Sequence, residues 1–188
     1  MVGGGRIHDR AVLDALESIP LTCFADDVWR VTRKGREATR GSTAYGRWSP
    51  GGAFEVLYTS LERDGALAEI GYRLSLEPIW PSRMAHEVHT INAVVARSLR
   101  FADVSELVPL GVDENTYDLF DYNATQAIAA AAHFLEFDGL IVPSARAPGL
   151  NLVIFMDRAA SNGELDVKAS EDVDWTAWRK SRKHRLVR

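Results

Sequence analysis

Arg47, Tyr58 and Glu69 stand at equal intervals along the chain, in the stretch "YGRWSPGGAFEVLYTSLERDGALAEIGYRL". Singly, each residue has an ordinary structural use. An arginine pairs with surface acids, a tyrosine edges a core and a glutamate solvates a helix. Gathered in one cleft, the three types suit a phosphorylated sugar. A guanidinium fork holds phosphate through paired, charge-assisted hydrogen bonds. A carboxylate stabilises the positive charge that develops on a sugar carbon as its glycosidic bond breaks. A tyrosine face takes a flat cation, worth about 1 kcal/mol or more when desolvated. Ser144, where "LIVPSAR" leaves an apolar run, is a fourth candidate, although a turn serine also bonds its own backbone.

These residues must be positioned by local structure. Residues 9–18 place Ala11, Val12, Ala15, Leu16 and Ile19 at helical spacing before Pro20, and "VWRVTR" alternates as a short strand. "KGREATRGSTAYG" is a polar loop, and Pro50, Gly51 and Gly52 form a turn. "AFEVLYTS" reads as a strand with Val56 and Tyr58 on one side. Ser60 then suits a helix cap, and Leu67, Ile70 and Leu74 face a core with Glu69 at the margin of that stripe. "LEPIWPSRMAH" is broken by proline, and "HTINAVVARSLRFADV" reads as one or two strands with Ile91, Ala93 and Val95 on one face. A helix begins at Asn123, with Gln126 placed as in a capping box and Ala127, Ile128, Ala131, Phe134 and Leu135 turned inward, and Gly139 ends it. "LIVPSAR" and "NLVIF" are buried strands. "SEDVDWTAWRKSRKH" reads as a closing helix with acids in its first turn and bases in its last. Strands and helices without regular alternation predict an α+β fold, with a mixed, mostly antiparallel sheet and flanking helices.

Composition narrows the function classes. At 188 residues and 46% hydrophobic, residues 1–188 suit one domain, with a basic, helical end over about 170–188. No apolar run approaches the roughly 20 residues that span a bilayer, and charges interrupt the N-terminal segment as they would not in a signal peptide, so a cytoplasmic protein is expected. The lone cysteine, Cys23, reads as a buried, inert thiol. Net charge is −4, but the last ten residues hold six bases and no acid, which leaves 16 bases against 26 acids, or −10, in the rest. An acidic body argues against direct nucleic-acid contact; the basic end reads as a solvated helix terminus, with a partner-docking use open beside it. His86 and His89 in "HEVH" lack metal-ligand spacing, so no metal is expected. Ser144 lacks the glycines of a nucleophile elbow. Gly3, Gly4 and Gly5 precede a helix but follow no strand, which excludes a dinucleotide fingerprint or phosphate loop.

"YGRWSPGG", "VLYTS", "ALAE" and "DGLIVPSAR" followed by "NLVIF", in that order, resemble the RES domain over about residues 28–155. The resemblance implies a fold similar to ADP-ribosyltransferase toxins. It implies cleavage of the nicotinamide–ribose bond of NAD, as substrate and with no further cofactor, and an Xre-type helix-turn-helix antitoxin as partner. Arg47, Tyr58, Glu69 and Ser144 match the family's polar site residues, Arg30 in "WRVTR" its earlier arginine, and Trp48 joins Arg30, Arg47 and Tyr58 among substrate contacts. The family usually has asparagine where this chain has Ser49. The acceptor of ADP-ribose (water, phosphate or a protein target recognised by the polar loop) stays open. So do a RES-like module that only binds a DNA-binding partner, and self-association of the chain.

Overall fold

A computed structural model describes residues 8–185, apart from the side chains of residues 161, 162 and 183–185. Gly3, Gly4 and Gly5 and the last bases of the tail lie outside the described residues. The order is α1 (Arg10–Glu17), β1 (Thr22–Arg33), β2 (Val56–Ser60), α2 (Arg63–Ser75), β3 (His86–Arg100), α3 (Asn123–Phe134), β4 (Gly139–Pro143), β5 (Leu150–Phe155), α4 (Met156–Asn162), β6 (Gly163–Asp172) and α5 (Trp175–Arg185). Two 3-10 segments, Val104–Leu110 and Glu114–Thr116, link β3 to α3.

The strands run β1-β2-β5-β4-β3-β6, and β1 also pairs with β3, so the first five close on themselves and β6 extends the edge of β3. Only β3–β4 is parallel. This is the α+β fold with a mixed, mostly antiparallel sheet and flanking helices that the sequence suggests. The circuit is thinnest between β1 and β2, which share the single pairing Trp29–Ser60.

Strand alternation decides which side chains fill the interior. Val28, Leu57, Ile91, Ala93, Val95, Ile141, Leu152 and Ile154 pack together inside the closed sheet, each fully buried. Outside, α1 and α3 bring Leu16, Ile128, Ala129 and Ala131 against Val56, Val142, Val153 and Phe155. Around the other flank, Ala66, Leu67 and Leu74 of α2 meet Val31, Val88 and Trp175. Among the described residues no helix is long and apolar enough to cross a membrane.

Several local expectations are corrected. β1 begins at Thr22, well before "VWRVTR", and alternation turns Phe24 inward and leaves Cys23 exposed. In α3 the buried positions are Thr125, Ile128 and Ala129 to Ala132, whereas Ala127 is exposed and Phe134 is 59% exposed. A run of alanines gives no contrast for periodicity to read, and their small side chains let α3 bury neighbouring positions against the sheet. That helix ends at Phe134, with Glu136 turning the chain at φ 63°, and Gly139 opens β4. Finally, Ser170, Glu171 and Asp172 belong to β6, and the last helix starts at Trp175 with Asp174 accepting from the Ala177 N–H at 2.9 Å.

Candidate active site

Glu69 sits half-buried on α2, beside the core stripe of Leu67 and Leu74. Its Oε1 accepts from the Ser144 hydroxyl at 2.7 Å and from the Asn151 amide at 3.1 Å. Both donors come from the β4–β5 hairpin. Pro143 ends β4, and Ser144 opens the turn, its N–H donating to the Gly149 carbonyl at 3.0 Å and its Oγ accepting from the Arg146 N–H at 3.1 Å. The turn-serine use and the site use therefore coexist. Asn151 is held in turn by the Ser60 hydroxyl, which donates to Oδ1 at 2.8 Å. Ser60 is thus not the cap of α2; Glu62 occupies that position without a side-chain hydrogen bond. With Oε1 doubly bonded, Oε2 accepts no hydrogen bond among the described residues.

Arg47 lies on a tight turn closed by reciprocal backbone bonds between Gly46 and Ser49, at 3.0 and 3.2 Å. α3 grips this turn. The Thr125 hydroxyl donates to the Arg47 carbonyl at 2.6 Å, and the Gln126 amide donates to the carbonyls of Gly46 and Ser49 at 2.8 and 3.0 Å. Gln126 is therefore not a capping-box residue; its side chain spans to a turn distant in sequence. Gly46 lies so close to Tyr58 that a Cβ there would sit 2.9 Å from the phenol oxygen. That oxygen accepts from the Trp48 N–H at 3.0 Å.

The Arg47 guanidinium is stacked between the rings of Tyr117 and Tyr122, 4.7 and 4.8 Å from their centroids, and Nη2 donates to the Leu119 carbonyl at 3.1 Å. Nη1 is buried with no partner. Burial lowers the pKa of Arg47 and pushes the Tyr58 phenol up to about 12, so Tyr58 remains a neutral phenol near pH 7. Burial also raises Tyr117, whose hydroxyl donates to the Pro143 carbonyl at 2.7 Å, next to Ser144. Arg146 lies over Tyr72, 3.7 Å from its centroid, with Phe120 at 5.5 Å. Together these groups form a cleft with a bonded carboxylate, two arginines and a wall of aromatic rings. It can hold an anionic group and stabilise positive charge beside it.

The structure brings Arg47, Tyr58, Glu69 and Ser144 into this neighbourhood. Arg30 has a different one. Its Nη1 donates to the carbonyls of Ala38 and Arg40, each at 2.7 Å, and it lines a separate basic cavity with Arg33, Arg36 and Arg40. Trp48 is 2% exposed and packs in the core beneath the cleft, so it contributes its backbone N–H rather than a surface for a ligand. His86 and His89 fall on opposite faces of β3. His86 meets Trp175 and the Met84 carbonyl, while His89 lies between Thr32 and Ser170, each at 2.8 Å. Among the described residues no cluster of His, Cys, Asp or Glu could hold a metal ion. The Ser49 hydroxyl is fully buried and has no partner.

Sequence reasoning missed Asn151, Tyr117, Tyr122 and Arg146, and it gave Gln126 a capping role in place of its grip on the Arg47 turn. A polar residue opening the apolar run "NLVIF" is the one local signal that Asn151 offers, and Arg146 closes the stretch "DGLIVPSAR"; Tyr117 and Tyr122 have none.

The RES domain, as a family, matches residues 27–176. The chain belongs to the RES domain family. The match carries β6 with it and leaves most of α5 beyond its end. Among curated relatives, the NAD(+) phosphorylase MbcT of Mycobacterium tuberculosis is 23% identical over 171 residues, covering 88% of this chain and 91% of MbcT. A probable NAD(+) phosphorylase of the same organism is 33% identical over 119 residues, covering 63% of this chain and 57% of the relative. The crystal structure of the M. tuberculosis MbcT–MbcA toxin–antitoxin complex contains a chain with the same fold. Its TM-score is 0.78 at 22% identity, over 92% of this chain and 97% of that one.

Proposed function

We propose that this RES protein cleaves the nicotinamide–ribose bond of NAD and passes ADP-ribose to a small oxygen nucleophile. The observation that carries the reading is the Glu69 carboxylate, held through Oε1 by Ser144 and Asn151 beside Arg47. As the C–N bond breaks, its electron pair goes to the nicotinamide nitrogen, which loses its positive charge, and the ribose carbon gains oxocarbenium character. Glu69 stabilises that charge, more strongly in the transition state than in the substrate. Because two donors hold Oε1, the carboxylate need not reorganise as charge develops, while Oε2 is available to the ribose. The unpartnered Arg47 Nη1 suits a phosphate oxygen of the substrate. Ser144 orients Glu69, and Tyr58, as a neutral phenol, supports the Arg47 turn and offers a ring edge.

Phosphate is the acceptor that the names of the relatives favour. With it, a phosphate oxygen bonds the ribose carbon and the products are nicotinamide and ADP-ribose 1″-phosphate; with water the second product is ADP-ribose. Because MbcT occurs in a complex with an antitoxin, we extend the reading to a toxin whose partner, of the helix-turn-helix type that the family resemblance implies, covers the cleft mouth. Tyr45, Leu119 and Phe120 are exposed at that rim, at 63, 52 and 56%.

The test is nicotinamide release from NAD by purified protein, with and without phosphate, beside Glu69→Gln. Release that needs phosphate and is lost in the variant supports the phosphorylase reading. Release without phosphate moves the acceptor to water. A folded, partner-free protein that leaves NAD intact refutes the proposal.

A further inference from the structure

Beyond the cleft, a groove of about 450 Å³ runs between α2 and α5. Tyr72, Trp80, Trp178 and Arg146 line it together with Arg179 and Arg182. The two arginines of α5 stack on indoles, Arg179 4.5 Å from the centroid of Trp80 and Arg182 5.0 Å from that of Trp178. α5 can approach α2 because residue 71 is glycine. A Cβ there would lie 2.3 Å from the Trp178 ring. The α5 side of this groove, Trp178, Arg179 and Arg182, lies beyond the residues that match the RES family, so the family assignment does not account for that side.

Three observations give the groove a direction and a chemistry. First, it is continuous with the cleft. Arg146 lines it, and the Arg146 N–H bonds the same Ser144 hydroxyl that donates to Glu69. Along α2, Tyr72 to Ser75 lie roughly 4 to 9 Å beyond Glu69 at the helical rise. Second, three arginines against the single acid Glu77 make the lining positive in a chain whose net charge is −4. Third, indole and phenol faces alternate with guanidinium planes, surfaces on which a purine stacks. A site for anion alone would need no tryptophans, and a site for apolar ligands would have no use for three arginines.

We infer that this groove binds the adenosine end of the dinucleotide, with Arg146, Arg179 and Arg182 around the pyrophosphate that joins the two nucleosides and the purine stacked on the indole wall. The inference rests on the NAD-cleaving reading above. It makes α5 part of substrate recognition, although it is remote from the bond that breaks. Removing α5 charge therefore weakens binding of substrate and transition state alike and shows in KM, whereas loss of Glu69 shows in kcat.

The experiment is a titration of the full chain with AMP, followed by tryptophan fluorescence, beside the exposed double variant Arg179→Ala/Arg182→Ala. Saturable quenching that the variant weakens by about tenfold, the scale of losing hydrogen bonds to a charged group, supports the inference. So does a KM for NAD raised by about tenfold in the variant, with nicotinamide mononucleotide failing to quench. AMP that neither quenches nor competes with NAD overturns it, as does equal AMP affinity in wild type and variant at matched melting temperature. Failure of wild type to release nicotinamide refutes the cleavage reading instead, and the AMP titration still decides what the groove binds.

Discussion

At the scale of single residues, Glu69 and Ser49 make opposite predictions. Glu69→Gln keeps the shape of the side chain and removes its charge. Ser144 and Asn151 can still donate to the amide oxygen, so the fold persists while stabilisation of the cationic ribose is lost. We expect kcat for nicotinamide release to fall by about 10²–10³, the range for one preorganised electrostatic group, with melting temperature little changed. A variant that retains wild-type turnover would remove Glu69 from the chemistry. Ser49 is the reverse case. Its hydroxyl is fully buried and unpartnered, and such a group costs about 1–3 kcal/mol. Ser49→Ala should therefore leave the melting temperature unchanged or raise it, without loss of activity; a drop of several degrees would mean that the hydroxyl is bonded after all.

Among elements, α3 acts as a clamp on the Arg47 turn, and its leverage can be measured. Gln126→Ala strips a donor from two carbonyls, those of Gly46 and Ser49, for a loss of about 1–3 kcal/mol at ordinary hydrogen-bond values. Since that turn sets Arg47, kcat/KM should fall together with stability, whereas Gln126→Glu should not restore either. Equal activity in the alanine variant would assign the clamp to Thr125 alone. The same contacts explain what could be read from the sequence. "AFEVLYTS", "LIVPSAR" and "NLVIF" are apolar runs whose strand character is local, and so was the placing of Tyr58 with Val56. Gln126 and Asn151 act on partners some 80 residues away, and nothing beside either residue announces that. β6 was silent for another reason. As an edge strand it is exposed almost throughout, so "GELDVKASED" carries no burial pattern. Arg30 and Trp48 look alike with Arg47 as motif residues, yet their neighbours separate them: one bonds loop carbonyls, the other fills core.

For the molecule as a whole, the histidines of β3 set a pH limit. His86 and His89 are 5 and 4% exposed, and burial lowers the pKa of both from 6.5. The unfolded chain thus takes up these protons at a pH where the folded chain does not, and stability falls as pH drops below about 6.5. The loss ends once the pH passes the lower folded values. A melting temperature at pH 5.5 equal to that at pH 7.5 would contradict this, and His89→Gln should flatten the profile. The long-range wiring of the site also has a consequence for the timing of synthesis. Glu69 meets Ser144 and Asn151 across 75 and 82 residues of chain. At about 5–20 residues per second, those donors leave the ribosome roughly 4 to 16 seconds after the helix that carries Glu69. A nascent chain therefore carries its key carboxylate unsupported until β5 has emerged. On the proposed reading, a protein that would consume the NAD of its own cell stays inert while it is being translated, and its antitoxin has that interval in which to arrive.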